Sequence, residues 1–160
     1  MLNKTGIPTD EELRSVLPSE ERIKRGPVAI FECFQEIPCN PCESSCPKGA
    51  VKIGEDINKI PKVDHEICNG CTNCVGACPG LAIFVVEQKG DKGKVTIPYE
   101  FLPMPKEGDM VTGLDRKGKP ITKCRVLKVR KNEKLDRTAV ITLEVDKGKE
   151  LLVRFMKVEE

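Results

Sequence analysis

Eight cysteines in two short runs are the residues best able to do chemistry in this chain. The second run reads Cys68-x2-Cys71-x2-Cys74-x3-Cys78-Pro79; the first reads Cys39-x2-Cys42-x3-Cys46-Pro47, with Cys33 standing earlier, before Glu36. Thiolates are soft ligands, and gaps of two or three residues let the thiolates of one tight loop reach a common inorganic centre. Disulfides are the competing use of cysteine. Residues 1–20 show no basic start followed by an apolar stretch, so no export signal is expected, and the longest apolar run, Leu81 to Val86, is far too short to span a bilayer. A cytoplasmic protein with reduced thiols is expected, and there clustered cysteines read as metal ligands. Zinc fits poorly, since it needs four donors, typically as two separated pairs, and has no use for a doubled run.

The two runs are an internal repeat. Cys39, Cys42 and Cys46 recur 32 residues later as Cys71, Cys74 and Cys78, each run ending in Cys-Pro and followed by a small apolar stretch, Ala50-Val51 and then Ala82-Ile83. A candidate strand precedes each run, Val28 to Phe31 and Lys62 to Asp64. The repeat predicts a strand, ligand loop, short helix and strand used twice, as two related halves facing each other. Gly70 and Gly76 are expected to let the second loop turn closely about its ligand.

Residues 28–87 resemble the bacterial two-cluster ferredoxins, whose ligand motif the second run reproduces without a gap. The resemblance implies two [4Fe-4S] clusters, each a cubane that wants thiolates from tetrahedral directions, with the fourth cysteine of each run crossing to the other cluster. On that pattern Cys68, Cys71 and Cys74 hold cluster two with Cys46, while Cys39 and Cys42 hold cluster one with Cys78. The last corner of cluster one has three readings. Cys33 ligates through a loop three residues longer than standard; Glu36, which the repeat places in register, ligates instead; or the corner is open and the cluster has three irons. Cys33 is the expectation, because thiolate is the ligand this chemistry prefers. A second departure from the family is Gly80-Leu81, where the small residue is usually second, as in Lys48-Gly49.

Around this centre the sequence predicts four segments: a helical lead-in over 1–26, the two-cluster domain over 27–89, a linker over 90–106 and a small β-barrel domain over 107–160. Thr9 with Glu12 forms a candidate capping box ahead of Leu13, Val16 and Leu17, and Ser19 is a candidate cap for a second short turn. The linker is read from Gly90-Asp91-Lys92-Gly93 and the prolines between Pro98 and Pro105. In the last segment Ala139, Ile141, Leu143 and Val145 alternate as in a half-buried strand, and Leu151 to Val158 reads as another. The fold class expected is α+β, a ferredoxin-like domain followed by a barrel-like all-β domain.

Residues 1–90 carry 10 Lys+Arg against 13 Asp+Glu and residues 91–160 carry 17 against 12, so the β segment is the basic one. Nucleic acid is not expected, because aromatic platforms are nearly absent there. Cys124 reads as a core thiol and His65, the single histidine, as a surface residue beside the second run. No acid–base pair and no phosphate-cradling glycine motif is recognisable, so no catalytic residue is expected. The predicted function is electron transfer, one electron at a time. The stretch ECFQEIPCNPCESSCPKGA is similar to the small iron-sulfur proteins found with FAD-dependent proline- and hydroxyproline-type dehydrogenases of anaerobes, and this resemblance implies a subunit that serves a flavoprotein dehydrogenase and a redox partner. A stand-alone ferredoxin and a redox-sensing nucleic-acid- or protein-binding module are the alternatives.

Overall fold

A computed structural model of the chain describes residues 8–34, 39–78, 81–101, 103–131 and 138–158. Two short helices lead in. Helix α1, Asp10–Val16, starts with the expected capping box, Thr9 Oγ1 accepting from the Glu12 N–H while Glu12 accepts from the Thr9 N–H at 3.0 Å. Helix α2, Glu20–Arg25, is capped by Ser19, which accepts from the Arg22 N–H. The rest is mostly β-structure. Strand β1 is Val28–Phe31; helix α3, Pro41–Ser45, strands β2, Val51–Lys52, and β3, Lys62–Val63, and helix α4, Asn73–Ala77, carry the cysteine runs. Strands β4, Ile83–Lys89, β5, Lys92–Tyr99, β6, Met110–Leu114, β7, Pro120–Lys131, β8, Ala139–Asp146, and β9, Phe155–Val158, complete the chain, with a 3-10 turn at Lys149–Leu151.

Seven strands form one antiparallel sheet in the order β1-β4-β5-β8-β7-β6-β9, while β2 and β3 pair separately. Val28 of β1 opposes Val86 of β4, and Phe31 opposes Ile83. Strand β5 then joins β4 to β8 along its whole length. About half of the expected linker over 90–106 is thus strand, Lys92–Tyr99. Its turn signal is real but marks a hairpin: Lys89 pairs with Lys92, leaving Gly90-Asp91 as a two-residue loop with Gly90 at φ 64°. One sheet consequently runs through residues that the sequence pattern divides between separate domains. The expected strand from Leu151 also starts late, at Phe155, because Lys149–Leu151 turns.

Period-two alternation sends β1 and β4 into two cores. Val28, Ile30, Phe84 and Val86 face a core built with β5 to β9, while Ala29, Phe31, Ile83 and Val85 face a second core with Cys42, Cys74, Val51 and Val75. Strand β8 does the same, Ala139, Ile141, Leu143 and Val145 on one side and Val140 on the other. The sheet curls enough that Tyr99 at the end of β5 lies 5.7 Å from Phe155 of β9, ring centre to ring centre. Cys124 is fully buried in the first core, as expected of a structural thiol, and burial pushes it up to about 11.

Two buried polar clusters lock the last turn onto the sheet. The Glu150 carboxylate is fully buried, accepts from the Gly148 N–H at 2.7 Å and from the Gln88 amide, and lies over Gly93. Glu32, just past β1, accepts from Arg116 Nε at 2.7 Å and Arg154 Nε at 2.5 Å. Burial raises the Glu32 carboxyl, but the two guanidiniums outweigh it and hold the group below its ordinary value. Burial in turn pulls Arg154 down to about 10, with Glu32 opposing.

A Cβ on Gly93 would collide with Glu150 Oε2 and stand 2.9 Å from the carboxyl carbon, and the Gly148 N–H and Gln88 fix that carboxylate in place. Gly93→Ala is therefore expected to lower unfolding stability by about 2 kcal/mol, read by denaturant titration. Glu32→Ala leaves Arg154 buried without its counter-ion and is expected to cost about 3–5 kcal/mol at neutral pH. Because the Glu32 carboxyl is held low, that difference is present at neutral pH and shrinks as the pH falls through its lowered value. A pH series of melts on both proteins measures it.

Candidate metal centre

The ligand runs are built alike. In each, a five-residue helix carries the middle cysteine inward, Cys42 on α3 and Cys74 on α4, and the two helices pack on each other beneath the second core. Pro41 occupies the first turn of α3, where a missing N–H costs nothing. After each helix the chain turns the same way, the Gly49 N–H donating to Cys46 O at 3.4 Å and the Leu81 N–H to Cys78 O at 3.3 Å. The turn needs positive φ: Gly49 has φ 68° and Leu81, its repeat partner, φ 53°. The Gly80-Leu81 departure thus places a branched residue in left-handed backbone. In the second loop Gly70 is required twice over, by φ 68° and by Pro27, whose backbone carbonyl carbon would lie 2.7 Å from an added Cβ. Gly76 does not serve the loop turn as expected; it lies buried inside α4.

The structure brings the predicted cysteines into two groups. Cys42 is pushed up to about 11, first by burial and then by the neighbouring charges of Cys78, Cys39 and Cys33, against one opposing backbone N–H. Cys74 is pushed up to about 12, again by burial first and then by Cys68, Cys71 and Cys46. Each middle cysteine therefore feels three thiols, and one of the three comes from the other run. Cys46, Cys68, Cys71 and Cys74 line a common small cavity walled by Ala29, Val51 and Val85. Glu36 lies outside the described residues.

Backbone N–H groups point at sulfur, as a thiolate site requires. Ala29 N–H lies 3.4 Å from Cys68 Sγ and Ala50 N–H 3.3 Å from Cys46 Sγ. Burial raises Cys46, yet N–H groups of Ala50, Lys48, Val51 and Gly49 outweigh it and hold the thiol below its ordinary value. Four thiolates this crowded in apolar surroundings repel one another, and a cationic centre is what relieves them. Among the described residues no three Cys, His, Asp or Glu side chains converge closely enough to hold a single ion. Several sulfurs lining one apolar cavity, with amide donors directed at them, are a donor set that fits an iron-sulfur centre.

Sequence reasoning missed the cations that hold these loops. Arg22 of α2 donates to Cys68 O and His65 O, both at 2.5 Å, and to Gly26 O and Pro27 O, both at 3.1 Å. Arg130 of β7 donates to Cys71 O at 3.3 Å, Thr72 Oγ1 at 2.8 Å and Asn73 Oδ1 at 3.0 Å. Arg116 and Arg154 hold Glu32, the neighbour of Cys33. His65 is half-buried rather than a surface residue, and burial and Arg22 lower its pKa. No helix is long and apolar enough to cross a membrane among the described residues.

The 4Fe-4S dicluster domain family matches residues 37–82, a span that begins after Cys33. Pyruvate synthase subunit PorD of Methanocaldococcus jannaschii is 33% identical over 87 residues, 54% of this chain and 80% of that subunit. A subunit of the Na(+)-translocating ferredoxin:NAD(+) oxidoreductase complex of Acetobacterium woodii is 40% identical over 63 residues, 34% of this chain. One polypeptide of the anaerobic dimethyl sulfoxide reductase of Escherichia coli is 36% identical over 76 residues, 44% of this chain. The chain spans only 18% of the Acetobacterium subunit and 36% of the Escherichia polypeptide. No solved structure matches. With paired cysteine runs, amide-lined sulfur and a PorD match covering most of that subunit, the chain belongs to the dicluster ferredoxins, iron-sulfur electron-transfer proteins, and carries two 4Fe-4S clusters.

Proposed function

We propose that the chain is the ferredoxin-like subunit of a flavin-dependent amino-acid dehydrogenase complex, with cluster one on Cys33, Cys39, Cys42 and Cys78 and cluster two on Cys68, Cys71, Cys74 and Cys46. The grouping of the thiols, each set taking three from one run and one from the other, supports the ligand sets, and the likeness of ECFQEIPCNPCESSCPKGA to the small iron-sulfur proteins found with such dehydrogenases supports the partner class. Each cluster, when bound, accepts and returns one electron. The chain's own residues fix the sulfurs, bury those of Cys42 and Cys74 and direct N–H groups at those of Cys46 and Cys68. Crossed ligation ties the two loops together, so an electron arrives and leaves without the loops rearranging, and substrate chemistry belongs to the partner.

The extent of the PorD match favours a second partner class, a pyruvate-synthase type of oxidoreductase. The two readings separate in one experiment. The purified chain is mixed anaerobically with each candidate partner, and cluster bleaching is followed after substrate addition. Reduction by the flavoprotein with its amino acid supports the first reading, and reduction by the oxidoreductase with pyruvate supports the second. Failure with both, together with salt-sensitive RNA or DNA binding, overturns the subunit assignment in favour of a sensing module.

Cys33→Ser tests the irregular corner. Loss or conversion of one reduced four-iron EPR signal, with the other intact and iron content lowered, is the expected result. An unchanged spectrum and iron count remove Cys33 from the ligand set.

A further inference from the structure

We infer that the site framed by Cys46, Cys68, Cys71 and Cys74 is the more easily reduced of the two, and that Arg130, reaching in from strand β7, is a positioning residue that sets this order. The inference rests on the ligand sets proposed above. Reduction adds one negative charge to a site, so a partly buried cation that no carboxylate neutralises favours it. Both guanidiniums at this site have neutral partners. Arg130 bonds a carbonyl, a hydroxyl and a side-chain amide on three consecutive residues, Cys71, Thr72 and Asn73, and Arg22 bonds four carbonyls, that of Cys68 included. Among the described residues neither forms an ion pair with a carboxylate. Lys48 lines the same cavity.

Nearby acids do not cancel these charges. Glu66 is exposed and bonded to Arg25 at 2.6 Å, and Asp64 is exposed and accepts from the Glu66 N–H. Solvent screens both. The other site has a different balance. Beside Cys33 the Arg116 and Arg154 cations face two buried carboxylates, Glu32 between them and Glu150 near Arg154, and beside Cys42 the half-buried Glu43 accepts from the Ile53 N–H and brings further negative charge. Among the described residues no arginine bonds the first ligand loop as Arg130 bonds the second, and the hold of Arg130 comes from outside the 32-residue repeat.

The electron balance is simple. One electron from an added reductant such as dithionite takes the second site from its oxidised to its reduced state, and no bond is made or broken. The test is an EPR-monitored redox titration of the full chain, with Cys39→Ser used to mark which signal belongs to the first site. In the parent protein the second-site signal is expected at the higher potential. Arg130→Gln is expected to lower its reduction equilibrium constant about tenfold, ~59 mV for a one-electron couple, while the first-site midpoint moves less than half as far. Arg130→Lys, which keeps the charge, is expected to recover most of the shift. If Arg130→Gln loses iron, Asn73→Asp, which gives the Arg130 guanidinium a carboxylate partner in place of the amide, decides the matter, a downward shift of the second-site midpoint supporting the inference and no shift overturning it. A first-site signal appearing at the higher potential in the parent protein overturns it. So does an Arg130→Gln variant in which neither midpoint moves or both move alike. A parent protein with iron and sulfide for a single cluster overturns the ligand sets, and that appears in the metal content before any potential is measured.

Discussion

Strands β1 and β4 are buried on both faces, and the positions of the sulfurs depend on that. In a half-buried sheet every second residue meets water, but Val28–Phe31 and Ile83–Val86 have apolar neighbours above and below. One face is the floor under the thiols of Cys42 and Cys74; the other closes the core of the curled sheet. The pairing of Phe31 with Ile83 brings the chain just before the first ligand run alongside the chain just after the second. That is why each thiol group can draw on both runs. A register slip of one residue would send Ala29 and Phe31 to the wrong core and uncouple the runs.

The ligand loops have little structure of their own. Helices α3 and α4 have five residues each, well under the length at which a helix stands alone, and β2 and β3 have two. Their carbonyls must be satisfied from elsewhere, and arginine is suited to it, with five donors in a planar fork. Arg22 comes from the lead-in and Arg130 from β7, while Arg116 and Arg154 hold Glu32 from the far end of the sheet. The lead-in and the basic C-terminal strands are therefore part of the metal centre's support. A bare ferredoxin repeat would lack all four cations.

What the sequence shows directly is local. The cysteine spacing, the caps at Thr9 and Ser19 and the alternation of β8 each depend on residues within a turn or two of one another, and the 32-residue repeat is one such local pattern met twice. The union of the segments in one sheet is not local. Gly90-Asp91 reads equally as a hairpin or a boundary, and Pro98 argues against a strand. Pro98 is tolerated because the β4 pairing ends at Thr96, so that edge of β5 has no ladder to break. The arginine contacts bridge up to 122 residues, and nothing in a single sequence marks which of 27 basic residues will turn inward.

The two halves of the repeat differ most where the C-terminal strands touch them. Thr72 sits at φ 71°, whereas Asn40, its partner 32 residues earlier, has φ −139°. A left-handed threonine costs about 1–3 kcal/mol and persists only where its surroundings fix it. Arg130 supplies that hold with a charged hydrogen bond to the Thr72 hydroxyl, flanked by bonds to Cys71 and Asn73, each charge-assisted bond contributing about 1.5–3 kcal/mol. The local strain and the local positive charge thus have one origin. A duplicated pattern alone would give two sites of like potential and no preferred resting place for an electron. Among the described residues β7 holds one loop and not the other, and on the inference above this makes the sites unequal, which a relay of two sites needs if electrons are to leave by a different end from the one they enter.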